Sequence, residues 1–235
     1  MSLVQASHRI VSCLCLLSAA LMVAGCGTVL TYHVNLGSPT FGALSRTGSN
    51  GIGNPLPSPQ LQLAIHRVLD ARPDPVVVGK IQGGYSGPIG KIELTEGAVL
   101  SERLTRHVEA AIRASGYGVV SWSGNLPPQE TAQAKVHGLL DVVVRDLTVE
   151  QFQEILPAFG TRVEARMLIE VSLINPSTGQ TLWTRLIRGT ASREHVIIPR
   201  NYWEPALNEA YAECFQQIQE ALSSPEVRDG LIRQR

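Results

Sequence analysis

Residues 162–192 read RVEARMLIEVSLINPSTGQTLWTRLIRGTAS and contain the pattern that decides the fold. From 162 to 173 the odd-numbered positions are apolar, and every even-numbered position except Leu168 is polar. A period of two is typical of a strand with one buried face and one wet face. The NPSTGQ segment at 175–180 is rich in turn formers, with Gly179 available for a positive φ angle. Since 181–194 again has the composition of a strand, the stretch predicts an antiparallel hairpin.

Two amphipathic helices are predicted on either side of this hairpin. In 97–115 the apolar residues recur at spacings of three and four, and Gly116 follows at the C′ position. A second stripe lies within 203–222, and Ser224 before Pro225 predicts a capped terminal turn. The two stripes comprise Leu100, Leu104, Val108, Ala111 and Ile112 in the first helix, and Leu207, Ala210, Tyr211, Cys214, Phe215, Ile218 and Leu222 in the second.

Four further segments indicate strands, at 61–72, 76–81, 117–122 and 134–149. The last of them carries apolar residues on both parities, which indicates partial burial of its second face. A glycine-rich loop, QGGYSGPIG, follows the second strand. The order of elements predicts an α+β domain over 61–235, a mainly antiparallel sheet with two helices packed on one face.

Residues 1–25 have the pattern of an export signal. Basic residues precede an apolar run at 10–23, which is too short to span a bilayer as a helix. The run ends in Val-Ala-Gly directly before Cys26, an arrangement that resembles the bacterial lipobox. The resemblance implies cleavage before Cys26 and a lipid anchor on its thiol, on the periplasmic side of a membrane. Gly27 stands where many inner-membrane lipoproteins carry Asp, so the resemblance favours the outer membrane. An uncleaved apolar helix with a chance cysteine is the alternative.

Residues 26–60 are predicted to form a flexible tether between the lipidated cysteine and the domain. The part from 37 to 60 is rich in Gly, Ser, Pro, Thr and Asn and sustains no helical or strand period.

The composition gives no support for nucleic-acid binding or for an intramolecular disulfide. Lys and Arg together number 20, as do Asp and Glu, so the formal net charge is zero and nothing favours nucleic-acid binding. Beyond the signal the chain keeps only Cys26 and Cys214, and the first is assigned to the lipid, so no intramolecular disulfide is expected. Cys214 lies on an apolar stripe and is interpreted as a buried small hydrophobe.

No catalytic or metal-binding pattern stands out. A phosphate loop would need glycine at Tyr85 and Ser or Thr at Ile92. The G-x-S-x-G pattern of serine hydrolases is absent. The histidines beyond the signal are scattered, without the spacing of a metal site. We therefore expect no enzyme activity, no metal and no cofactor. These histidines are His33, His66, His107, His137 and His195.

Five residues are candidates for partner contact. Asp70 and Arg72 end the first predicted strand before two prolines, and either form a strand-end ion pair or meet a partner. Tyr85 lies in the glycine loop. Trp183 in the hairpin and Trp203 at the start of the last helix are amphipathic aromatics, suited to the edge of the core or to an interface.

Taken together, these features resemble the YajG-type bacterial lipoproteins over residues 61–232. The resemblance rests on the lipobox, the tether, an early D-x-R after an apolar strand, Gly79 after VVV, a helix followed by SGY, and the strand pair of 162–192. It implies a small periplasmic α+β domain with a scaffold or accessory role and no cofactor.

Three functional hypotheses follow. The first is a non-enzymatic accessory subunit of a cell-envelope machine, with a protein partner and homo-oligomerisation as an option. An exposed apolar patch with a polar rim would favour it. The second is a lipid or small-molecule binding module, favoured by an apolar cavity of several hundred Å³. The third is a hydrolase, favoured by titratable groups that converge in a cleft.

Overall fold

A computed structural model describes residues 30–41, 61–83, 87–95, 100–122, 136–153, 160–195 and 203–233. These residues form eight strands and three helices. The strands are β1 Leu30–Val34, β2 Gln62–Asp70, β3 Val77–Gly83, β4 Gly87–Leu94, β5 Gly118–Val120, β6 Gly138–Gln153, β7 Thr161–Ile174 and β8 Thr181–His195; the helices are α1 Leu100–Ala114, α2 Trp203–Leu222 and α3 Pro225–Ile232.

The sixteen-residue strand β6 organises the whole sheet. Along one edge it pairs antiparallel with β7, which pairs antiparallel with β8. Its other edge is shared by two strands that lie end to end, β2 along the first half and β3 along the second. β5 lies beyond β2, while β4 and then β1 lie beyond β3. The described strands therefore form one sheet around a single long strand.

The predicted α+β class is confirmed, but a mainly antiparallel sheet is wrong because the sheet is mixed. The pairs β2–β5, β2–β6 and β3–β6 are all parallel. A parallel pair needs a long crossover connection, and α1 lies within the segment that connects β2 to β5 and β6. Apolar periodicity reports which side chains are buried and carries no information on strand direction.

The predicted hairpin and its turn are confirmed. β7 and β8 pair from Thr161 opposite His195 to Ile174 opposite Thr181, with Leu182 as an extra residue near the turn. In the turn, the Asn175 side-chain oxygen accepts hydrogen bonds from the N–H groups of Ser177 and Thr178. Gly179 adopts a φ of 70°. Asn and Gly at these positions give the chain its reversal.

Both apolar stripes are buried in one cluster, so α1 and α2 cover the same face of the sheet. Gly116 follows α1 with a φ of 87°, as its C′ position requires. The predicted terminal turn is an eight-residue helix, α3, whose first turn is capped by the Ser224 hydroxyl. No helix among the described residues is long and apolar enough to cross a membrane.

The structure differs from the predicted tether at residues 30–41. β1 adds a strand to the sheet, and Val34 and Leu36 are buried in the main cluster. The backbone of this segment is held by Thr95, whose N–H donates to the Val34 carbonyl at 3.0 Å, and by Asn208, which accepts from Gly37. Residues 42–60 lie outside the described residues, as does the predicted signal at 1–25.

Candidate functional site: the helix-free face of the sheet

One face of the sheet lies against α1 and α2, and the opposite face is not covered by any helix of the described chain. A second, smaller apolar cluster lies on that opposite face and contains no helical residue. Because side chains alternate along a strand, Leu140 faces the helices while Leu139 and Asp141 face away. We call this surface the open face.

The centre of the open face is an ion-paired cluster of three residues. Asp141 in β6 is 9% exposed at its side chain and accepts from His66 Nδ1 and from Arg67 Nη2, each at 2.7 Å. In a regular strand two consecutive residues point to opposite faces. A register shift between Ile65 and Arg67 lets both reach the same carboxylate. Two charge-assisted partners compensate the burial of that charge.

An apolar floor adjoins this cluster. Ala64, Val136 and Leu139 are buried there, with Val120, Trp122 and Ile174 packed around them. The rings of His66 and Trp122 meet edge to face with centroids 6.4 Å apart. The Trp122 indole N–H is buried and has no hydrogen-bond partner among the described residues. A buried donor without a hydrogen-bond partner lowers the stability of a folded protein by about 1–3 kcal/mol.

Further along the open face, apolar side chains are exposed next to charges. Leu69 lies opposite Val143, and Leu186 lies opposite Glu170 in the next strand pair. Leu69 and Leu186 are 42% and 56% exposed. Arg145 pairs with Glu170 at 2.9 Å beside them. This row across the open face therefore has an exposed leucine at each end and the paired Glu170 between them.

A polar groove of about 410 Å³ lies at the other end of the same face. Two cross-strand rows build it from three strands, Thr148–Arg166–Thr190 and Glu150–Glu164–Ser192. The charges are internally paired: Arg166 with Asp146 at 2.6 Å, Glu150 with Lys80 at 3.5 Å, and Glu164 with Arg162 at 3.0 Å. Hydroxyls and paired charges suit a polar occupant, in contrast to the apolar lining of a lipid pocket.

The His66–Asp141 pair has the geometry of only part of a hydrolytic triad. In a triad the imidazole stands between the carboxylate and the nucleophile. Here no hydroxyl or thiol of the described residues hydrogen-bonds His66, and the nearby Ser172 hydroxyl pairs with that of Thr184 at 2.9 Å. The described residues hold no group of three or more His, Cys, Asp or Glu able to bind a metal ion.

The predicted contact residues Asp70 and Arg72 lie inside the fold. The Arg72 side chain is 4% exposed, and its guanidinium donates to both Asp70 oxygens at 2.7 and 2.8 Å. It also donates to the Pro75 carbonyl at 2.6 Å. The pair fixes the conformation of the segment between β2, which pairs with the first half of β6, and β3, which pairs with the second half.

The two predicted tryptophans pack against the helix-covered core. Trp203 is buried, donates from Nε1 to Gln151 at 2.8 Å and packs against Tyr32, with ring centroids 4.7 Å apart and ring planes tilted by 53°. Trp183 is partly buried against the same cluster. Cys26 and Tyr85, the remaining predicted site residues, lie outside the described residues.

The sequence analysis missed the cluster around Asp141. Its signal was an acidic residue inside the apolar run LLDVVV, since a carboxylate in a buried strand needs a cationic partner. His66 and Arg67 both hydrogen-bond this carboxylate because the register of β2 is irregular between Ile65 and Arg67.

No protein-family model and no curated protein matches the sequence. Solved structures with a similar fold include protein XCC0632 of Xanthomonas campestris, a DUF330 protein, at 13% identity over 88% of this chain and 99% of that chain, with a TM-score of 0.42. A homologue of neuraminyllactose-binding hemagglutinin from Helicobacter pylori matches at 12% identity over 84% and 98%, with a TM-score of 0.48. Lipoprotein GNA1162 of Neisseria meningitidis matches at 12% over 62% and 90%, with a TM-score of 0.34. These likenesses concern the fold alone, and the YajG-type resemblance stays a prediction.

Proposed function

We propose that this protein is a non-enzymatic lipoprotein, anchored to the periplasmic side of the outer membrane, that serves as an accessory or scaffold subunit of a cell-envelope machine. The observation that best supports it is the open face, where the exposed leucines Leu69 and Leu186 lie in the same region as a buried, ion-paired aspartate. Surfaces of this kind are typical of protein docking sites.

The chemistry of the open face indicates the kind of partner. Asp141 already accepts hydrogen bonds from His66 and Arg67, so the polar groups left for a partner are the exposed parts of these two side chains. Arg is enriched among the residues that dominate interface energies. A protein surface with apolar side chains and acceptor groups, such as carboxylates or main-chain carbonyls, would complement this face.

Membrane anchoring rests on the sequence before the described residues. The basic residues, the short apolar run and the small residues before Cys26 occur in the order of a lipobox. Two or more acyl chains, at about 0.8 kcal/mol per buried CH₂, would hold the protein stably on a bilayer.

The polar groove favours a second candidate function, the binding of a small polar molecule. Its volume of about 410 Å³ is within the usual range of ligand sites. Its lining of hydroxyls, carboxylates and one guanidinium supports a polar ligand over a lipid.

Metabolic labelling tests the anchor. In a Gram-negative host, labelled palmitate should enter the wild-type protein and be lost from the Cys26→Ala variant, since its thiol carries the diacylglycerol. Equal labelling of both would reject lipidation at this cysteine. In the same host, Gly27→Asp should move the protein toward inner-membrane fractions, and an unchanged distribution would reject the outer-membrane assignment.

Complementation of a deletion strain tests docking by the open face. Arg67→Glu and Leu69→Lys should fail to complement while the protein folds and stays membrane-bound. Gln216→Lys, an equally exposed change on α2, should complement fully. His66→Gln separates docking from hydrolysis, because glutamine still bonds to Asp141 but transfers no proton. Its complementation would support docking, and its failure with folding intact would support a catalytic His66.

A further inference from the structure

The outer edge of β8 is only partly covered. β8 pairs with β7 and with no other described strand. On its free side the Thr190 N–H donates to the Glu213 carboxylate at 2.6 Å, and the Arg188 carbonyl accepts from the Gln217 amide at 2.8 Å. Side chains of α2 therefore satisfy the edge at 188–190. Because backbone groups alternate in direction along an antiparallel strand, the even-numbered residues of β8 that follow the register shift at Leu182 direct theirs outward.

The same alternation leaves the edge at 182–186 open. Thr184 and Leu186 direct their N–H and C=O groups outward, and no described residue hydrogen-bonds them there. Leu182 and Leu186 are 36% and 56% exposed, so this is the apolar part of the strand edge. An uncovered edge of this kind is a template for pairing with another strand.

The sequence of the open edge is complementary to itself. It reads Leu182-Trp183-Thr184-Arg185-Leu186, with apolar ends, an aromatic residue and a cation at mirrored positions, and a threonine at the centre. We propose that a second copy of this chain pairs antiparallel with β8 along 182–186, about a twofold axis at Thr184.

In that arrangement each residue meets a suitable neighbour. The two threonines lie opposite each other, and Leu182, the extra residue at the register shift, lies next to the partner's Leu186. Trp183 lies opposite the partner's Arg185, a pair suited to a cation–π contact. No like charges lie directly opposite each other, which cross-strand pairs disfavour.

The hydrogen bonds of α2 disfavour the next register toward the end of β8. A twofold axis at Leu186 would place Thr184 opposite the partner's Arg188, whose carbonyl is already bonded to Gln217. The axis at Thr184 uses only uncovered residues and places Arg188 opposite the partner's Gln180, at the end of the hairpin turn.

The contact is short, so self-association should depend on concentration. Stable interfaces bury about 1,200–2,000 Å² in total, more than a five-residue strand pair supplies. Copies held on one membrane would meet at a raised effective concentration. The pairing itself does not depend on the lipid anchor, and it shares only Leu186 with the residues described on the open face.

Disulfide trapping in the full-length chain tests the register. Across the axis, Thr184 forms a hydrogen-bonded pair with Cα atoms about 5.5 Å apart, within the range of a disulfide. The Thr184→Cys variant in membranes, oxidised with copper phenanthroline, should give a reducible dimer on a gel. Ser192→Cys is the matched control: an exposed residue on the same edge whose two copies would lie about 54 Å apart at 3.4 Å per residue. The unsubstituted chain gives the background.

Two comparisons decide the proposal, crosslinking of Thr184→Cys against its controls and crosslinking with and without Leu186→Lys. A dimer from Thr184→Cys well above both controls supports it, as does loss of that dimer when Leu186→Lys is added. Crosslinking of Thr184→Cys at the level of Ser192→Cys would overturn it. Retention of the dimer with Leu186→Lys, in protein whose circular dichroism is unchanged, would overturn the register. Palmitate labelling is read separately, so failure here is distinguishable from failure of the lipoprotein assignment.

Discussion

Gly189 in β8 lies directly beneath the backbone of Ala210 in α2. A Cβ atom built on Gly189 would stand 1.9 Å from the Ala210 carbonyl oxygen and 3.0 Å from the Cys214 nitrogen. The missing side chain lets the helix approach the sheet closely enough for the Cys214 thiol to reach the Met167 carbonyl at 3.5 Å. The docking of α2 on β7 and β8 therefore depends on one glycine.

Gly189→Ala should destabilise the protein by at least about 2 kcal/mol, because the methyl group meets backbone that cannot rotate away. Gly230→Ala is the control, since its Cβ would meet nothing within 4 Å and alanine favours the helix by about 1 kcal/mol. Denaturant unfolding followed by circular dichroism measures both. Equal stability of the two variants would show that α2 adjusts without cost.

Arg72→Met should cost about 3–5 kcal/mol of unfolding free energy, because it leaves the Asp70 carboxylate buried without its cation. The control is Arg162→Met, which breaks the exposed pair with Glu164 and should cost about 0–1 kcal/mol. Chemical denaturation of the purified proteins distinguishes the two. A loss below about 1 kcal/mol at Arg72 would contradict its role as the anchor between β2 and β3.

Stability should fall between pH 6.5 and pH 4 through His107. Burial, helped by the charges of Arg103 and Arg106, lowers the pKa of this imidazole to about 4, and its Nδ1 lies 2.7 Å from the Tyr211 hydroxyl. The unfolded chain binds this proton near pH 6.5 and the folded chain only near pH 4, so acid favours unfolding in that window.

Melting temperatures at pH 7.5 and pH 5 measure this effect. His107→Gln should lose less stability on acidification than the wild type, because glutamine does not titrate. His33→Gln, at an exposed position in β1, should behave as the wild type does. An unchanged acid response in His107→Gln would assign the pH dependence to other groups.

The Cys214 thiol should resist alkylation in the folded protein. It is fully buried, and burial raises its pKa to about 12, so almost no thiolate exists at pH 8. Iodoacetamide at pH 8 should leave the Cys214 peptide unmodified and should modify it in denaturant, as read by mass spectrometry. The introduced cysteine of Thr184→Cys, on the exposed edge of β8, gives the positive control. Modification of Cys214 at a comparable rate would indicate that α2 opens readily.

The elements that sequence predicted best are those with local signals. The hairpin of 162–194 combines strict alternation with Asn175 and Gly179 in the turn, and both long helices carry uninterrupted apolar stripes. These patterns depend on nearby residues and on burial alone, so they are readable without knowing the partner elements.

The features that sequence missed depend on contacts distant in the chain. β2 and β3 both run parallel to β6. This direction follows from the long connections between these strands, and the residue composition of the strands does not reveal it. β1 is a five-residue strand next to a Gly- and Pro-rich segment, and its burial depends on Thr95 and Asn208. The Asp141 cluster depends on a register shift in β2, which brings His66 and Arg67 to one carboxylate.

The end-to-end placement of β2 and β3 along β6 also determines the order in which the sheet can form. Strands β6, β7 and β8 are consecutive in the chain and meet by short connections, whereas Leu63 finds its partner Gly138 about 75 residues later. Closing long loops is slow, so the three-strand meander should form first and then receive β2 and β3. Until β6 has been synthesised, β3 has no parallel partner and β2 has only the three-residue strand β5, so a nascent chain can complete its sheet only after residue 153 is available.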